Sequence, residues 1–181
     1  MNFGLNQQTK EFATSSAFPV GIHPNTIITK ALYNEEYDSL DIVFENLTNG
    51  YSKTERIFNP IKDGKDIPEW TSPEKEIGKV QGKIKHILKR FLSEDDIAFE
   101  ADSFKQLAEV VVDVLQPTIE NQTKFNLKLI FDKNLQYTEL AKGRFMATHD
   151  EEPLSFTKWE RENRMIVDEV PTDDTSEETI F

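Results

Sequence analysis

Tyr51, Lys53, Arg56 and Phe58 fall within eight consecutive residues, two rings and two long cations on a stretch that alternates in character. Rings stack on nucleobases whatever the base, and Lys and Arg displace counterions from phosphates, so this mixture suits a surface for a single strand of nucleic acid. The same residues also suit an amphipathic hairpin whose charged side chains lay their stems along apolar surface. Residue type alone leaves both readings open. Catalytic constellations are harder to find. His23, His86 and His149 stand far apart and in no metal-ligand spacing. The acidic pairs Glu35-Glu36, Glu151-Glu152 and Asp173-Asp174 could hold Mg²⁺, although solvation and turn chemistry account for such pairs. There is no phosphate-cradling glycine loop and no GxSxG-like nucleophile signature. Cysteine is absent, which removes thiol nucleophiles, disulfides and thiolate metal sites. The sequence therefore predicts no enzyme, no metal and no cofactor.

The elements that must position these residues can be read from periodicity. Ser39 to Glu45 alternates Leu40, Ile42 and Phe44 with Asp41, Val43 and Glu45, the period-2 pattern of a strand with one buried face. Asn49-Gly50 then supplies a hairpin turn, and Tyr51 to Phe58 returns with Tyr51, Lys53, Glu55 and Ile57 on one face and Ser52, Thr54, Arg56 and Phe58 on the other. Upstream, the two prolines of Phe18-Pro-Val-Gly-Ile-His-Pro24 predict an irregular lead-in to a strand over Asn25–Leu32. Downstream, Asn59–Ser72 reads as a loop, with Trp70 either a lid on the core or a ligand contact. Thr71 or Ser72 caps a helix carrying Ile77, Val80, Ile84, Ile87, Leu88 and Phe91 on its apolar face. Its Lys79, Lys83, His86 and Arg90 form a basic stripe, either a solvated face or a phosphate contact. Ser103 and Gln106 open a second helix that Pro117 should stop. Lys124–Asp132 is a strand with Phe125, Leu127, Leu129 and Phe131 to one side, Leu135–Leu140 a returning strand, and Ala141-Lys142-Gly143-Arg144 a basic kink. Leu154–Arg164 interleaves aromatic and cationic residues.

The 181 residues suit one domain with appendages, and 37% hydrophobic residues can supply one core. The net charge is −12, but Met165 to Phe181 holds six acids and no Lys or Arg, so half the imbalance sits in the last seventeen residues. A local basic groove on the body remains compatible with that balance. No apolar run approaches membrane-spanning length and the N-terminus lacks signal-peptide character, which predicts a soluble protein of the cytoplasm with no membrane partner.

Three strands, a helical insertion and two strands give a predicted class that is mainly β with a helical insertion (α+β). The order is that of the OB-fold, a five-stranded barrel, here with two helices between strands 3 and 4. On the segments FPVGIHPN, SLDIVFE, YSKTERIF and KLIFDKNLQYTELAKGRFM, and on the acidic terminus ending in Phe181, the chain resembles bacteriophage single-stranded DNA-binding proteins of the OB-fold type. The likeness covers roughly Phe18–Phe58, Leu127–Met146 and the terminus, and Ile180 stands where bacterial single-stranded DNA-binding tails usually carry Pro. The resemblance implies a flexible arm at 1–17, an OB-fold domain at 18–164 with its insertion at about 71–117, and a disordered acidic tail at 165–181. It implies single-stranded DNA contacts at Tyr51, Lys53, Arg56 and Phe58 on strand 3, at Tyr33 and Tyr37 in the first loop, and at Lys133 and Tyr137 in the last, with Lys128 and Arg144 as further candidates. Which strand face is concave stays open. The tail residues Asp173, Asp174, Glu177, Glu178, Ile180 and Phe181 are expected to recruit replication or recombination proteins in an infected bacterial cytoplasm, and homo-oligomerisation is left open. The alternative is an acidic interaction factor, a host-takeover inhibitor or assembly factor, on the same scaffold.

Overall fold

The computed structural model describes residues 18–61 and 67–164. Strands β1 (Gly21–Asn34), β2 (Ser39–Asn46) and β3 (Ser52–Phe58) precede helices α1 (Pro73–Leu88) and α2 (Phe104–Glu120). Strands β4 (Phe125–Phe131), β5 (Thr138–Leu140) and β6 (Met146–Ala147) follow, and then a short helix, α3 (Lys158–Asn163). All pairings are antiparallel, in the order β3-β2-β1-β4-β5, with β6 continuing on β4. The result is a nearly closed barrel.

Strand β1 makes the curvature possible. It is longer than periodicity predicts, because Gly21–His23 already pairs with Lys128 and its neighbours on β4. Pro24 costs no ladder bond there, since the β1–β4 register breaks between His23 and Thr26 with Asn25 at φ +56°. A second irregularity between Ile28 and Lys30 re-aims the strand as it pairs with β2. Such breaks add twist, and a twisted strand can serve both sides of a closing sheet. The β2–β3 turn is longer than a two-residue hairpin. Its ladder ends at Glu45–Ser52, and Asn46 organises the loop by accepting from Thr48 N and Asn49 N while donating to Pro24 O. Gly50, at φ +70°, supplies the one positive angle of that turn.

Ser72 caps α1 by accepting from Lys75 N, and Ser103 caps α2 by accepting from Gln106 N. Contrary to expectation, Pro117 does not stop α2, which runs on to Glu120. A proline so near a helix end forfeits little beyond one amide donor. The core gathers Leu40, Ile42 and Phe44 of β2, Phe125, Leu127 and Leu129 of β4, Ile84, Ile87 and Leu88 of α1, and Val111 and Leu115 of α2. Each such side chain contributes about 1.5–3 kcal/mol by leaving water. The second face of β4 is also buried, because residues 154–164 lie over Lys128 and Ile130.

Candidate nucleic-acid interface

Register decides which side chains of the hairpin reach solvent. Lys53, Glu55 and Ile57 lie opposite Phe44, Ile42 and Leu40, so their face turns inward. Arg56 and Phe58 lie opposite Asp41 and Ser39 on the outer face. The four strand-3 candidates are therefore divided. The Tyr51 ring is half-buried and packs 5.9 Å from Phe18 and 6.3 Å from His23. Lys53 donates from Nζ to the carbonyl of Thr138 at 2.9 Å, bridging the gap between β3 and β5 that no backbone ladder spans. Beside it, Glu55 pairs with Lys83 of α1.

On the outer face, Arg56 donates to both carboxylate oxygens of Asp41, with Nη2 2.9 Å from Oδ2, and its guanidinium lies 4.1 Å from the centre of the Tyr37 ring. Burial alone would raise the Asp41 pKa, but hydrogen bonds from Arg56, Ser39 and Asn34 outweigh it and hold the carboxyl below its ordinary value. Tyr37 and Phe58 are 41% and 50% exposed, so this end of the barrel presents two rings around a paired guanidinium. Tyr33, expected in the first loop, instead lies in β1 opposite Leu40 and is turned elsewhere. Its hydroxyl donates to Asp38, which pushes its pKa up to about 12, and its ring meets Phe104 of α2.

At the other end, the loop 132–137 is held by Asp132, which accepts from the amides of Gln136 and Tyr137. These backbone bonds lower the Asp132 pKa. Lys133 is exposed and Tyr137 is 73% exposed. Lys128 corrects the expectation of a solvent-facing contact: it is buried, with Nζ 3.0 Å from both Glu160 Oε2 and Ser155 O. The alternation that aimed it away from the core could not foresee that α3 covers that face. Arg144 is partly exposed and engages the carbonyl and carboxylate of Glu152. The tail candidates Asp173, Asp174, Glu177, Glu178, Ile180 and Phe181 lie outside the described residues, as does the arm at 1–17.

The strand reading missed a second concave surface. Residues 141–145 loop away from β4 between β5 and β6, and α1 runs alongside, enclosing a groove of about 690 Å³. Lys79, Lys83, His86 and Lys142 line it, with Glu139 the carboxylate among its walls. His86 packs 4.3 Å from Phe145, and burial, with the charges of Arg90 and Arg144, lowers its pKa to about 4, so it is neutral at pH 7. The basic stripe and the basic kink were both visible in the sequence; that they face one another was not. Among the described residues no group of His, Asp and Glu could hold a metal ion, and no helix is long and apolar enough to cross a membrane. No protein-family profile, curated protein or solved structure matches the chain.

Proposed function

We propose that the barrel is an OB-fold and that the protein binds single-stranded DNA without sequence preference, in a phage replication or recombination apparatus. The observation that carries this reading is the strand order β3-β2-β1-β4-β5, with an outer β2–β3 face flanked by exposed rings, Tyr37 and Phe58 at one end and Tyr137 at the other. Rings at both ends of an open β face suit bases that stack in succession, with exposed Lys133 in the Tyr137 loop and exposed Lys30 on β1, opposite Val43, for phosphates. Fluorescence anisotropy with labelled oligo-dT, against duplex and RNA controls, tests it. Binding is expected to weaken with salt at a log–log slope of roughly −0.7 per phosphate contacted. Duplex affinity equal to or above that for oligo-dT would refute the reading. The acidic tail belongs to the same proposal: it competes with DNA on the free protein and recruits a partner once DNA is bound. Truncation after Val167 should hold or raise DNA affinity at low salt and abolish partner recruitment, and Phe181→Ala should abolish much of the recruitment alone.

A further inference from the structure

We propose that single-stranded DNA also follows a second track on the helical side of the barrel, along the groove between α1 and residues 141–145, with bases stacked at its ends on Trp70 and Trp159. The inference rests on the single-strand reading above and assigns a surface that the strand face does not include. Three observations converge on it.

The first is continuity. The groove shares Lys142 and Gly143 with an adjoining recess of about 340 Å³ whose walls include Arg144 and Trp159. At the other side, Lys79 lines the groove and sets its ammonium 5.5 Å from the centre of the Trp70 ring. Trp70, Lys79, Lys142, Arg144 and Trp159 thus form one path. The second is charge. Lys79, Lys83 and Lys142 face Glu139, whose carboxylate is itself 3.9 Å from Arg164. Lys142 has no ion-pair partner among the described residues, and the Lys79 side chain is 61% exposed despite its bond to Glu76. Lys83 is held by Glu55 and Arg144 by Glu152, so the cations left open to a phosphate chain are Lys142 and the exposed Lys79. The third is exposure. The chain has two tryptophans, and they are 76% and 51% exposed. Trp is the side chain with most to gain from being covered, and its face stacks on any base. An acidic peptide without apolar side chains would use the lysines and leave both rings in water; unpaired bases on a phosphate backbone use all five residues. Gly78 and Gly82 line the groove, and a Cβ at either would meet nothing within 4 Å, so the groove is open above them.

The two tryptophans make the test direct. Titrating the full-length protein with oligo-dT should quench tryptophan emission, with part of the quench surviving in Trp70→Phe and part in Trp159→Phe. Trp159→Ala should weaken binding about fivefold or more. Lys79→Ala combined with Lys142→Ala should leave the thermal melt unchanged and make the salt slope shallower by about 1.4. Phe58→Ala, on the strand face, should lower affinity without removing the quench. If oligo-dT binds by anisotropy while emission stays constant and the double lysine variant binds as wild type, the second track is wrong and the single-strand reading stands. Polyglutamate quenching as strongly as oligo-dT would make the groove a peptide site and overturn the proposal. If wild type does not bind oligo-dT at all, both readings fall together.

Discussion

Three cations borne on the strands and two borne on loops meet different fates in this molecule. Lys53, Arg56 and Lys128 all sit on strands, and each is consumed by the fold: Lys53 by the Thr138 carbonyl, Arg56 by Asp41, Lys128 by Glu160. Lys133 and Lys142 sit on loops, and neither has an ion-pair partner among the described residues. The reason is geometric. A strand side chain has fixed neighbours about 4.5–5.5 Å away across the ladder, and at these three positions a carboxylate or carbonyl lies within reach, whereas Lys30 of β1 is exposed. A loop side chain has no such obligation, which is why binding residues gather on loops held by a rigid scaffold. The strand face therefore contributes rings and the exposed Lys30, while the helical groove contributes rings with Lys142 and the exposed Lys79.

The sharpest way to break this comparison is at Lys128. Its side chain and that of Glu160 are 3% and 6% exposed, and Glu160 also accepts from Thr157 N to complete the capping box of α3. Lys128→Ala would strand a buried carboxylate and loosen the cover of residues 154–164, costing about 3–5 kcal/mol. Urea unfolding measures this, and Lys128→Met with Glu160→Gln should recover most of it because the cap bond remains. A loss below about 1 kcal/mol would show that the buried pair is dispensable and that Lys128 was retained for another purpose.

A smaller effect belongs to the groove. His86 has its pKa lowered from 6.5 to about 4, so the folded state binds fewer protons than the unfolded chain between those values. Stability from this residue is full above about pH 6.5 and is lost as the pH falls toward 4. The ring is half-buried with its Nε2 shielded from solvent, and partial solvation limits the effect to about 1 kcal/mol. Urea midpoints at pH 7 and pH 5 should differ for wild type and converge in His86→Gln. Equal pH dependence in both proteins would show that His86 is solvated and the groove more open than its packing on Phe145 implies.

Much of the barrel was legible because its signals are local. The alternation in β2 and β4, the serine caps and the apolar faces of both helices are properties of short windows. The same logic divided Tyr51–Phe58 into two faces correctly. Which face turned outward depended on β2 register and on the gap between β3 and β5, and these are non-local. Lys128 was misjudged for a related reason: Leu154–Arg164 gave a mixed aromatic and cationic pattern with no clear period, so its role as a cover for β4 could not be read. Gly21–Pro24 entered β1 because a ladder interruption accommodates Pro24, a tolerance only the paired strand reveals.

The smallest expected change in stability is also the most telling about the strand face. Phe58 is half-exposed at the end of β3 and Tyr51 is half-buried just before it, and both rings suit base stacking. Phe58→Ala removes little packing, so its melting temperature should match wild type within the scatter of surface substitutions, about 0.5 kcal/mol. If Phe58 stacks on a base, the same variant loses about 1–3 kcal/mol of oligo-dT affinity. Tyr51→Ala should behave oppositely, because its ring closes a cluster with Phe18 and His23 at one end of the core. Its affinity loss should follow its loss of stability and vanish where the folded fraction is matched at low temperature. Lys133→Ala completes the set, with unchanged stability and a salt slope shallower by about 0.7. If Phe58→Ala and Lys133→Ala both bind as wild type while the groove variants do not, the β2–β3 face is scaffold, and the helical side alone carries the strand.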